Sequence, residues 1–141
     1  MVIIMMISTK GRYALRVMID LANHSDDGYI CLKAISERQK ISMKYLESIV
    51  AMLNKAGMLK SLRGAGGGYM LARPAEEYNA YSVLKLTEGS IAPVACVDCG
   101  ESSCENADDC PTLPMWLKLD AVIEEYLSGV TLKDLAEGKV K

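Results

Sequence analysis

One histidine, His24, is all the imidazole that these 141 residues supply. It falls at the end of a predicted helix, where a cation is favourable against the helix dipole, so it is not expected to serve as a metal ligand. Long apolar runs are missing too. No stretch approaches the roughly 18 residues of a membrane-spanning helix, and the apolar start Val2-Ile3-Ile4-Met5-Met6-Ile7 is short and lacks the basic flank of a signal peptide. The expected location is cytoplasmic, with no membrane partner. The glycine-rich run Gly64-Ala65-Gly66-Gly67-Gly68 lacks the following lysine of G-x-x-x-x-G-K-[ST], which argues against a nucleotide phosphate cradle. A C-x-x-C pair at Cys96 and Cys99 has no βαβ pattern around it and no visible acid, base or substrate pocket, so an enzyme is not expected.

What the chain does have is a core's worth of apolar side chains and a crowd of thiols. Apolar residues make up 50% of the sequence, enough for one ordinary domain or a small domain with a helical appendage. The formal charge of -2 conceals a split. Residues 1–73 carry eleven Lys and Arg against five acids, a net of +6, whereas residues 74–141 carry five Lys against thirteen acids, a net of -8. A basic half suits a polyanion partner. Four cysteines, Cys96, Cys99, Cys104 and Cys110, crowd into fifteen residues, C-V-D-C-G-E-S-S-C-E-N-A-D-D-C. Their neighbours are loop formers without apolar periodicity, and in a reducing compartment clustered thiols read as metal or iron–sulphur ligands before they read as disulfides. Cys31 stands apart and is expected to be a small buried hydrophobe.

The first half has a helical grammar. Ala14, Val17, Met18 and Leu21 recur at i, i+3, i+4 and i+7, one stripe of a helix from Thr9 to about Asn23. Residues 31–39 suit a short helix, Lys40-Ile41 a tight connection, and Ser42 the N-cap of a further helix. That further helix buries Leu46, Ile49, Val50 and Leu53 and ends before Gly57, a left-handed C′ candidate. Two helices so joined make a helix-turn-helix or an ordinary helical hairpin. The next segment favours the first reading: Met58 to Arg63 reads as a strand, the glycine run as its tip, and Tyr69 to Ala72 as the return strand. This is the wing of a winged helix, with glycines that permit close approach to a narrow groove and Arg63 at its base. The expected fold is mainly α with a small β-wing, a winged helix-turn-helix followed by a long C-terminal dimerisation helix.

These residues resemble a known family. S-T-K-G-R-Y-A-L-R at 8–16, I-S-E-R-Q at 35–39, I-S-M-K-Y-L-E at 41–47, R-G-A-G-G-G-Y-M-L at 63–71 and C-P-T-L-P-M-W at 110–116 are similar to the IscR/NsrR family of bacterial winged-helix regulators. The resemblance implies a homodimeric transcription factor that binds double-stranded promoter DNA. Its cysteine loop is implied to hold an iron–sulphur cluster that senses cluster status, redox state or nitric oxide, with control of cluster-assembly genes as one outcome. Residue by residue, it places Ser42, Lys44, Tyr45, Glu47 and Ser48 on the recognition helix. It also places Arg63, Gly64, Gly66 and Gly67 on the wing, and Lys10 and Arg12 beside the DNA backbone. Glu47 is the informative one, since a carboxylate in a major groove accepts from cytosine N4 and repels phosphate. The basic contacts position the protein without specifying sequence.

Ligand transfer is uneven. The family's loop has three cysteines separated by five residues each, and Cys104-x5-Cys110 reproduces the second spacing, whereas seven residues, Cys99 among them, separate Cys96 from Cys104. The two fourth ligands known in the family are a histidine three residues after the last cysteine and an aspartate at the start of the first helix. The matching positions here hold Leu113 and Arg12. Cys99 fills the vacancy in an all-cysteine site, which lowers the reduction potential relative to a histidine-ligated one; three cysteines plus an oxygen ligand is the alternative. A 2Fe–2S centre is favoured and a 4Fe–4S centre remains open. Zinc competes, since four thiolates satisfy tetrahedral zinc, although C-x5-C is not the usual second knuckle. A zinc-stabilised winged-helix protein without sensing is therefore the alternative function.

The second half is expected to make the dimer. Ser82 to Glu88 reads as a short helix closed by Gly89, the cysteine loop runs over about 92–111, and Pro111 and Pro114 suit a helix start. Trp116, Leu119, Ile123 and Tyr126 then recur at spacings of three, four and three, the seam of a coiled-coil-like contact between two copies. The expected division is a DNA-binding module at 1–73 and a connecting helix, cysteine loop and dimer helix at 74–141.

Overall fold

The computed structural model describes residues 7–94 and 110–140. Six helices and one hairpin follow in order: α1 (Thr9–Asn23), α2 (Leu32–Gln39), α3 (Met43–Lys55), β1 (Leu59–Leu62), β2 (Gly68–Leu71), α4 (Ala80–Glu88), α5 (Leu113–Ser128) and α6 (Leu132–Glu137). Single 3₁₀ turns at Ser25–Asp27 and Ala75–Glu77 complete the path. The fold is the expected winged helix, mainly α with a two-stranded wing.

Local chemistry sets the helix ends. Ser8 caps α1 by accepting from the Gly11 amide, Ser42 caps α3 by accepting from the Tyr45 amide, and Asn79 caps α4 by accepting from the Ser82 amide. Lys40 closes α2 in the left-handed conformation at φ 56°. Gly57 sits at φ 79° after α3, the C′ position read from the sequence. Thr131 and Asp134 form a reciprocal capping box on α6. The fourth helix starts two residues earlier than the sequence pattern suggests, because Asn79 and not a later residue supplies the cap.

The core gathers the expected faces of α1 and α3. Ala14, Val17, Met18 and Leu21 meet Leu46, Ile49, Val50 and Leu53, all at most 1% exposed, with Ile35 from α2 closing the cluster. Tyr78, Val83 and Leu132 join the same core, so the segments beyond the wing pack on the module before it. Two further ties hold them there. The Tyr78 hydroxyl donates to the Met58 carbonyl at 2.7 Å and accepts from the Arg73 amide at 3.1 Å. Leu132 N–H donates to the Tyr78 carbonyl at 2.9 Å, and Ala80 N–H to Val130 at 2.9 Å.

One buried charge was not legible as such. Asp20, 2% exposed, lies at the edge of the α1 stripe and accepts two bonds from Arg38, Nε to Oδ1 at 2.9 Å and Nη2 to Oδ2 at 2.7 Å. Gln39 adds a third at 3.0 Å. This bidentate geometry fixes the end of α2 against α1. Arg16 reinforces the joint by donating to the Gln39 side-chain and backbone oxygens. Cys31 departs from expectation: it is exposed, because it precedes α2 as the residue before its first turn and stands outside the core.

Candidate nucleic-acid interface

The antiparallel wing pairs Leu59 with Leu71, Lys60 with Met70, Ser61 with Tyr69 and Leu62 with Gly68. A third short piece steadies it, since Ile30 and Tyr69 exchange both backbone bonds at 2.8 Å, tying the wing to the chain just before α2. Burial along β1 runs inward at Leu59 only, so Lys60, Ser61 and Leu62 stand exposed, followed by exposed Arg63. At the tip Gly64 and Gly66 adopt φ of 94° and 77°, and Gly67 N–H donates to the Gly64 carbonyl at 3.0 Å. The tip is therefore a backbone turn whose one side chain is the exposed Ala65 methyl.

The N-terminal half of α3 is the second exposed element. Ser42, Lys44, Glu47 and Ser48 are exposed while Leu46, Ile49 and Val50 face the core. Two of the predicted reading residues also have local work. Ser42 Oγ is engaged in capping, and Tyr45 is half-buried with its ring edge-on to Tyr13, centroids 5.7 Å apart. Arg16 in turn stacks on Tyr13 at 5.2 Å from the ring centre, so α1 braces α3 from behind. Arg12 is exposed, with Nη2 donating to Thr9 Oγ1 at 3.2 Å, whereas Lys10 is half-buried.

The start of α1 is held by α4. Glu88 Oε1 accepts from the Ser8 amide at 3.0 Å and from the Ser8 hydroxyl at 2.6 Å, while that hydroxyl accepts from the Gly11 amide. Gly11 is buried at this crossing, and a side chain there would run into the Glu88 carboxylate. Glu88 is the last residue of α4, just before the segment that leads to the cysteines.

Of the four candidate ligands, Cys96, Cys99 and Cys104 lie outside the described residues. Cys110 is half-buried, three residues before α5, with Sγ 3.3 Å from Thr112 Oγ1. Hydrogen bonding from the Thr112 side chain, then from its backbone, holds the Cys110 thiol below its ordinary value. The thiolate is the form that iron and zinc bind. Leu113, which stands where a histidine ligand would be in some members of the resembling family, opens α5 and is half-buried.

The α5 helix has no fully buried residue over its 16 positions. Trp116, Leu119 and Ile123 of the expected seam are half-buried, and Tyr126 is 54% exposed. Sequence spacing passed over three more: Met115, Leu117 and Val122 are 54%, 43% and 45% exposed. Met115 and Val122 make a stripe with Leu119 and Tyr126 at spacings of four, three and four, a second heptad seam that shares those two residues with the expected one.

A model of the Rrf2 family, described as an iron-dependent transcriptional regulator, matches residues 7–138. The chain belongs to the Rrf2 family. Its relatives include the HTH-type transcriptional regulator IscR of Pectobacterium atrosepticum, 39% identical over 135 residues that span 96% of this chain and 81% of the relative. Among solved structures, T. potens IscR matches with a TM-score of 0.76 at 38% identity, covering 94% of this chain and 87% of that one. CymR, described as the global cysteine regulator of B. subtilis, matches with a TM-score of 0.77 at 37% identity, covering 94% and 97%. This Rrf2 member is accordingly a transcriptional regulator and not an enzyme. Among its described residues no helix is long and apolar enough to cross a membrane.

Proposed function

We propose that this Rrf2 regulator binds double-stranded promoter DNA as a homodimer and senses iron–sulphur, redox or nitric oxide status through a cluster held by Cys96, Cys99, Cys104 and Cys110. Cluster-assembly genes are one proposed target. The observation that carries the reading is the position of the cysteine segment. It runs from α4, whose terminal Glu88 grips the start of α1, to α5, the helix without a fully buried residue. Four soft donors suit a cluster, and a cluster supplies a redox-active, nitric oxide-reactive centre when bound. This chain's residues do the rest. Lys44, Glu47 and Ser48 meet the major groove, with Ser42 and Tyr45 at its edge. Arg63 and the turn at Gly64, Gly66 and Gly67 enter the minor groove, and Lys10 and Arg12 meet phosphates.

Sensing then follows by linkage. A filled and an empty cysteine segment bias the Ser8–Glu88 joint, and with it α1, toward different arrangements. Operator affinity changes only by what distinguishes those arrangements, commonly about 1–3 kcal/mol. The outward stripe of α5 supports a second copy as partner, because two half-sites are read by a two-fold pair. Anaerobic purification followed by visible spectroscopy and paired iron, sulphide and zinc analysis tests the cofactor. A coloured protein with iron and sulphide supports the reading, and a colourless protein with stoichiometric zinc establishes the zinc-stabilised alternative. The same assay on Cys99→Ser decides the fourth ligand.

A further inference from the structure

The tip of α3 carries an apolar side chain that no reading so far employs. Met43 is the first residue of the helix and is 41% exposed, although it lies between Ser42 and Lys44 at the end that enters the groove. Its neighbours narrow what the tip can read. Ser42 Oγ is occupied by the Tyr45 amide, and Tyr45 is turned back onto Tyr13. The side chains left free at the first two turns are Met43, Lys44, Glu47 and Ser48. Met43 and Glu47, four apart, share one helix face.

Resting on the proposal that α3 reads a major groove, we propose that Met43 is a specificity-determining residue that recognises thymine by its C5-methyl group. Only one feature of the major groove is apolar, and it is that methyl. An unbranched thioether is polarisable and adapts to a surface it must slide onto, so it suits a single methyl contact better than a β-branched side chain does. A helix side chain also leans toward its own N-terminus, which aims Met43 ahead of the helix into the groove floor. Four residues of helix rise about 6 Å, close to two base-pair steps of about 3.4 Å. The thymine therefore lies within about two base pairs of the amino group that Glu47 accepts from. Lys44, beside Met43, reaches a phosphate or a guanine edge without disturbing that pairing.

The test removes the methyl and nothing else. Duplexes are first enriched from a random pool by the full chain, purified anaerobically and, in parallel, freed of metal. Each dT of the enriched half-site is then replaced in turn by dU. One position per half-site is expected to weaken binding by about three- to fivefold, the scale of one buried methyl. In Met43→Ala and Met43→Gln that sensitivity disappears while replacements elsewhere behave as in the wild type. Wild-type protein indifferent to every dT→dU replacement, or variants that keep the same sensitive position, overturns the role of Met43. A pool that never enriches overturns the DNA reading itself, and Met43's role falls with it.

Discussion

At the residue scale the sharpest electrostatic commitment is Asp20, the sole buried charged side chain among the described residues. Burial pushes its carboxyl up, but hydrogen bonds from Arg38 and Gln39 and the charge of Arg38 outweigh that, leaving it below the ordinary carboxylate value. A depressed folded pKa means stability that is present above the unfolded carboxylate range and lost as pH falls through the folded value. Acid unfolding is therefore expected to shift to lower sensitivity in Asp20→Asn, seen as a flatter acid limb of melting temperature against pH. Removing Arg38 instead strands the carboxylate, and Arg38→Ala is expected to cost about 2 kcal/mol in urea titrations at neutral pH. The sequence gives little warning of this pair. Asp20 stands beside Leu21 on a stripe whose other members are apolar, and its partners lie 18 and 19 residues away, a distance no periodicity spans. Cys31 went the other way, since an isolated cysteine carries no signal that separates a core position from an exposed helix entrance.

At the element scale the wing and α3 were legible because turn and cap chemistry is local. Ser42, Gly57 and the glycine run mark their boundaries by backbone demands that few other residues meet. The hairpin makes its own prediction. Gly68 has φ of 155° and sits against Ile30, where a methyl would strike the Ile30 carbonyl and come within 2.7 Å of the Cys31 amide. Gly68→Ala is expected to destabilise the protein by about 2 kcal/mol in thermal melts, by straining the bond pair that ties the wing down. On the proposed reading surface the two elements differ in kind. Arg63→Ala is expected to weaken binding on every sequence and to lower the salt slope by about one, whereas Glu47→Ala mainly relaxes base preference. Binding curves across a salt series and a mutated-site panel distinguish them. If neither variant changes binding, α3 and the wing are not the reading surface.

At the scale of the whole molecule the proposed dimer rests on α5. A 16-residue helix without a fully buried side chain, with Met115, Val122 and Tyr126 about half exposed, calls for a partner surface. The sequence pattern found the helix and its apolar character and set the seam on Trp116, Leu119, Ile123 and Tyr126, of which Tyr126 is exposed and the other three are half-buried. A helix apolar over much of its circumference offers two heptad phases, and only packing against the rest of the chain separates them. Val122→Glu is expected to shift the protein toward monomer in sedimentation and to weaken operator binding at least tenfold, since one half-site then binds alone. Trp116→Glu, on the half-buried side, is expected to lower the melting temperature as well. The cysteine segment precedes this helix in the chain, and the proposal is that its occupancy sets operator affinity. Operator affinity of cluster-loaded protein, metal-free protein and Cys104→Ala tests that claim most directly. Loaded and metal-free protein are expected to differ by about 5- to 150-fold, with Cys104→Ala behaving as the metal-free form. Identical affinity in all three contradicts it.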